Sequence, residues 1–132
     1  MSEDVARDSD NRDVTLTIPA RPDYLVLARL ALSAVCRLTL LSPEEVADLK
    51  LAVTEAANGF MEETSPEGDE EPRLNFFFRL LEDRLVLELE GQPVDSPEGE
   101  QELGRAIIDA VVDEFHHSPS HVRLVKHLSE ST

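Results

Sequence analysis

A chain of 132 residues, 41% hydrophobic and 30% charged, has room for one domain with a real core and not for two. Its net charge of -16, from 28 acidic and 12 basic side chains, excludes a protein that grips nucleic-acid phosphates, because duplex would be repelled. That acidity suits a basic protein partner, or else it serves only solubility or a salt-adapted setting. The single cysteine, Cys36, has no second cysteine for a disulfide or a zinc site and reads as a small apolar filler. Residues 1 to 13 are polar rather than a secretory apolar segment, and no apolar run of about 18 residues could span a membrane. The expected location is the cytoplasm, away from membranes.

In chain order, a polar leader over residues 1–12 is expected to be disordered, a single domain fills 13–128, and 129–132 form a polar tail. Val14, Leu16 and Ile18 alternate with Thr15 and Thr17, which predicts a half-buried strand ending at Pro19. From Tyr24 to Leu38, the apolar residues Leu27, Leu30, Ala31, Ala34, Val35 and Leu38 recur at helical steps and are expected to face inward. Arg29, Ser33 and Arg37 take the other face. Ser42-Pro43-Glu44-Glu45 combines a capping serine, a proline at the first helical position and a glutamate three residues on, so a second helix starts there. Its inward stripe is Val46, Leu49, Val53, Ala56 and Phe60, and it runs to about Met61 or Glu63.

Residues 62–71, rich in acid with Pro66 and Gly68, read as a solvated loop. Arg73–Leu81 and Arg84–Leu89 form two strands joined at Glu82-Asp83, the length of a tight hairpin. In the second, Leu85, Leu87 and Leu89 face the core while Val86, Glu88 and Glu90 face a mostly wet side. Residues 91–101 read as loop, Leu103–Phe115 as a third helix, and Val122–Leu128 as a closing strand. The adjacent His116 and His117 point apart in regular structure and have no third ligand nearby, so they read as solvated loop histidines and no metal site is assigned. His121 and His127 are expected on a strand surface. The predicted class is α+β: a two-layer sandwich with a mixed, mostly antiparallel sheet covered on one face by about three helices.

Three stretches carry a resemblance: Asp48–Ala56 (DLKLAVTEA), Arg105–Phe115, and Val122–Leu128 (VRLVKHL). They resemble landmark segments of the anti-sigma regulatory factors and serine-protein kinases of the histidine-kinase-like (GHKL) ATPase superfamily. The similarity extends from about Val14 to Leu128. It implies an ATP and Mg2+ site in which Glu55 is the catalytic base, followed four residues on by a metal-holding asparagine. That position is Gly59, and Asn58 is one residue short, a rotation of about 100° on a helix. The adenine-binding aspartate falls at Leu89, with Glu90 one residue along as an acceptor of different length. The first glycine of that loop is kept as Gly91 and the second is replaced by Pro93. The glycine-rich lid is reduced to Gly104, followed by Arg105.

The resemblance thus implies a nucleotide-binding set of Glu55, Asn58, Gly59, Glu90, Gly91, Gly104 and Arg105, with partners that are a sigma factor and an anti-sigma antagonist, and a homodimer. Each residue also has a plainer reading: Glu55 as an ordinary helix-surface glutamate, Gly91 as a turn residue, Gly104 as a tolerated helix-start glycine. Given Gly59 and Leu89, the expected function is regulatory capture in a partner switch with weak or lost kinase activity. The alternatives are an active kinase that phosphorylates an antagonist, and an acidic interaction domain of unrelated role.

Overall fold

The computed structural model describes residues 12–61, 72–94 and 98–128. The leader, the acidic loop 62–71 and the tail fall outside this set, apart from Arg12. Five strands and three helices are present among the described residues. β1 spans Arg12–Pro19, and a single 3-10 turn, Pro22–Tyr24, leads into α1, Leu25–Cys36. α2 spans Pro43–Asn58, β2 Arg73–Leu80, β3 Arg84–Glu90, α3 Glu98–Val111, β4 Glu114–Ser118 and β5 His121–His127.

The local chemistry of the ends accounts for several boundaries. Pro19, with no N–H to donate, closes β1. α1 stops where the Cys36 carbonyl accepts from both the Thr39 N–H (2.9 Å) and the Thr39 hydroxyl (2.6 Å), and that hydroxyl in turn accepts from the Leu41 N–H (3.1 Å). At α2 the capping box is complete: the Glu45 N–H donates to Ser42 Oγ at 3.1 Å, and the Ser42 N–H donates to Glu45 Oε1 at 3.0 Å. The β2–β3 turn is the expected two-residue hairpin, with the Leu81 N–H donating to the Arg84 carbonyl at 2.9 Å.

The sheet order is β1-β2-β3-β5-β4 and every neighbouring pair is antiparallel, so the expected mixture of directions is absent here. One face carries Phe76 and Phe78 of β2, Leu85, Leu87 and Leu89 of β3 and Leu124 of β5, all buried with the inner faces of the helices. Alternation along the strands puts Asn75, Glu88, Glu90, His121 and Arg123 on the opposite, helix-free face. That face has one dry spot, where Val86 and Val125 pair across β3 and β5 and are both buried.

Two expectations about elements are corrected. α1 is rotated from the expected stripe: Val35 is buried and Ala31 packs against the core as expected, and Leu25, Ala28, Leu32 and Cys36 are buried with them, while Leu27, Leu30, Ala34 and Leu38 are exposed. Only Arg29 and Ser33 are polar in this helix, so its apolar periodicity has no unique direction and packing on β1 and β2 decides. The third helix begins at Glu98, inside the expected loop, and ends at Val111 rather than Phe115. Residues 114–118 instead form β4, so His116 and His117 lie on a strand and not in a loop. The edge of β5 supplies the reason: the Asp113 N–H donates to the Val125 carbonyl at 2.9 Å, and pairing with β5 satisfies the backbone that follows. Among the described residues, no helix is long and apolar enough to cross a membrane.

Candidate functional site

α2 carries Glu55 three residues before its last residue, Asn58, and its side chain is half-buried. Facing it is Gly104 of α3, which is buried. A Cβ built on Gly104 would lie 3.3 Å from Glu55 Oε1, so the carboxylate rests close against the α3 backbone at this position. Arg105, the next residue, is exposed.

At the end of the same helix, Gly59 is the C-cap with φ -69 and ψ -9, an ordinary right-handed conformation. A Cβ there would meet only the Ala56 carbonyl at 3.7 Å, so nothing in the backbone requires glycine at this position. Asn58 and Gly59 are both exposed. The segment after β3 is tied to this end, with the Val94 N–H donating to the Gly59 carbonyl at 3.0 Å and the Gly91 N–H to the Ser120 carbonyl at 3.1 Å. Gly91 has a structural reason to lack a side chain: a Cβ would come within 3.1 Å of Leu74 Cδ1 and 3.3 Å of Phe60 Cδ1.

The structure therefore brings Glu55 together with Gly104, and Gly59 together with the Gly91–Val94 segment, but it separates Glu90 from both. Leu89 is 1% exposed in the helix-side core, and Glu90 points to the helix-free face. There it lines a cavity of about 350 Å³ with Arg73, Asn75, Gln92 and His121. A slip of one residue along a strand reverses the face, which is why Glu90 does not take over from Leu89. The donor set does not fit magnesium-bound ATP as the resemblance would place it: Gly59 offers no metal ligand, Leu89 accepts no hydrogen bond, and Glu90 lies on the far side of the sheet.

A cluster the sequence reading missed lies on the helix-free face. His127 Nε2 is 3.1 Å from Glu114 Oε2, and His116 Nε2 is 3.8 Å from Glu114 Oε1. Next to them Glu88 pairs with Arg123 at 3.6 Å and His121 at 3.9 Å. The hydrogen bond with His127, with smaller help from His116, lowers the Glu114 carboxyl below its ordinary value of 4.5. Glu114 and His116 met His127 only through β4, the strand that the helical spacing of 103–115 concealed. Among the described residues, no group of three or more His, Cys, Asp or Glu side chains could hold a metal ion.

Three helices on one face of an open antiparallel sheet, with a glutamate on the middle helix facing the last, define a two-layer α+β domain of the ATPase type. The sequence matches the histidine kinase-like ATPase domain over residues 18–126, and the chain belongs to that family. It is similar to the serine-protein kinase RsbW of Listeria innocua, 32% identical over 93 residues, which are 69% of this chain and 59% of that protein. It is also similar to the serine-protein kinase RsbW of Bacillus subtilis, 31% identical over 104 residues, 77% of this chain and 64% of that protein. The match thus spans less than two thirds of the length of these relatives.

Proposed function

We propose that this chain is an anti-sigma-type regulator that works by stoichiometric capture of a sigma factor, of an antagonist protein, or of each in turn, with ATP-dependent serine kinase activity weak or lost. The observation that carries this reading is the pairing of an exposed Gly59, four residues beyond Glu55, with a Leu89 sealed in the core. Phosphoryl transfer depends mostly on positioning and on neutralising phosphate charge, so losing the metal-holding amide and the adenine acceptor removes much of that machinery. The scaffold that presents surfaces to partners is intact. In this reading the protein acts in the cytoplasm as a homodimer, binds no nucleic acid directly, and offers its acidic surface to a basic region of the sigma factor.

One observation favours an active kinase instead: Glu55 is kept, it faces α3, and the relatives carry the name serine-protein kinase. Calorimetric titration with Mg2+ and ATP, paired with phosphotransfer to a candidate antagonist domain and a binding assay with a sigma factor, separates the two. The proposal expects little or no nucleotide heat and no transfer, with one-to-one capture of a protein partner. Tight nucleotide binding accompanied by transfer overturns it. Failure to bind either nucleotide or protein leaves the acidic interaction domain of unrelated role.

A further inference from the structure

The charged side chains of the helix-free face come in opposite pairs, with one exception. Asp13 lies 3.8 Å from Arg79, Arg84 lies 3.9 Å from Asp83, and Glu88 has Arg123 at 3.6 Å and His121 at 3.9 Å. Glu114 is engaged by His127 and His116. Among the described residues, Arg73 and Glu90 are the charged side chains of this face with neither an ion pair nor a hydrogen bond, yet both line the cavity of about 350 Å³ where β2 begins and β3 ends.

Strand register accounts for the uncompensated pair. Glu90 stands opposite Asn75 on β2 and His121 on β5. His121 turns its Nε2 to Glu88, and Asn75 Oδ1 accepts from the Thr17 hydroxyl at 2.6 Å, so neither neutralises Glu90. The Thr17 bond also leaves the Asn75 amide its two N–H groups to donate. Arg73 is two residues before Asn75 on the same strand and therefore on the same face. Donors on β2 thus lie beside a carboxylate on β3, and Gln92, Ser120 and His121 complete a lining in which no side chain is apolar.

That lining selects a ligand with both charges. An inorganic anion would meet Glu90 and a simple cation would meet Arg73, whereas a dipolar molecule gives each a charge-assisted partner. Neighbouring strands are ~4.8 Å apart, so the two charges must sit close together, as they do on the α-carbon of an amino acid. A peptide end carries only one of them. The cavity is at the small end of ligand sites, which run from about 300 to 1,000 Å³, and at about 30 Å³ per water-sized group it admits roughly ten non-hydrogen atoms. We propose that this cavity binds a free α-amino acid with a polar, uncharged side chain, its carboxylate on Arg73 and the Asn75 amide and its ammonium on Glu90. The site is on the opposite side of the sheet from Glu55 and Gly104, and the inference does not depend on the function proposed above.

The test titrates the full chain with L-glutamine and, separately, L-serine, followed by NMR. N-acetyl-L-glutamine lacks the ammonium, L-glutamine α-amide lacks the carboxylate, and inorganic phosphate is a further arm. At least one amino acid should bind saturably with a Kd of ~1 mM or tighter, with shifts gathered on residues 73–75, 90–92 and 120–121. Each half-molecule and phosphate should bind ~tenfold or more weakly than L-glutamine. Arg73→Gln and Glu90→Gln should each weaken amino-acid binding by ~tenfold or more, while Arg79→Gln, on the same face but outside the cavity, should leave it unchanged. The inference is overturned by the absence of saturable shifts with both amino acids at ~20 mM, by equal binding of either half-molecule or of phosphate, by shifts on another surface, or by an affinity that neither cavity variant moves. All three substitutions fall on exposed side chains, circular dichroism shows whether the fold is kept, and the ligand comparison on the unaltered chain reads the site independently of any variant.

Discussion

Gly59 and Gly104 lack side chains for opposite reasons. Gly59 sits in open, right-handed backbone, so Gly59→Asn is sterically free. If its register with Glu55 is the one proposed, the variant should bind Mg2+ and ATP about tenfold more tightly by calorimetry, and no change would refute that register. At Gly104, a methyl at 3.3 Å from a carboxylate oxygen can be met by a small movement of the Glu55 side chain. The helix gain of about 0.5–1 kcal/mol from Gly to Ala opposes any crowding, so Gly104→Ala should change stability little. Gly91→Ala has no such outlet, since the new atom meets Leu74 and Phe60 inside the core. Urea unfolding should show a loss of about 1–3 kcal/mol for Gly91→Ala, larger than for Gly104→Ala. Cys36 follows from burial as well: desolvation pushes its thiol up to about 11, partly offset by Lys50. Its folded value lies above its ordinary 9.0, so this contribution to stability is full below pH 9 and is lost as the pH rises through about 11. Iodoacetamide should therefore label Cys36 at pH 8 far more slowly in the native protein than in urea.

Among the elements, α2 is the one whose start is fixed by side-chain chemistry, and Ser42→Ala should remove the capping-box acceptor. Unfolding should lose about 1 kcal/mol, and a loss indistinguishable from zero would mean that tertiary packing alone sets this end. β4 is held differently, by its ladder with β5, by the His127 N–H donating to Asp113 Oδ2 at 2.6 Å, and by the Glu114–His127 contact. Glu114 is lowered by its histidine partners, so its contribution is present above pH 4.5 and fades as the pH falls through the depressed value. In His127→Ala the Glu114 carboxyl should titrate at higher pH, as followed by carbon-detected NMR. An unchanged titration would show that the contact does not persist in solution.

For the whole molecule, the charge of -16 is a statement about association more than about the fold. Under the proposed function, capture of a basic sigma-factor surface should be fast at low salt and slow as the Debye length shortens from about 10 Å at 0.1 M toward about 3 Å at 1 M. A stopped-flow association rate that does not change with salt would remove electrostatic steering from the account.

Amphipathic alternation, the Ser42 capping box and the 82–83 hairpin turn are local signals, and each element they specified is present near its expected bounds. The family was legible for the same reason, since its segments are short words on those elements. What remained hidden was set by non-local partners. The inward side of α1 could not be read because nearly every position is apolar, and only packing on β1 and β2 chose between two satisfactory stripes. β4 could not be read because residues 103–115 keep helical spacing past the point where the open edge of β5 captures the chain. The same holds at the candidate site: Glu55, Gly59 and Leu89 were visible as residues, but that Gly104 meets Glu55 and that Glu90 stands on the far face were decided by the stacking of α3 on α2 and the pleat of β3.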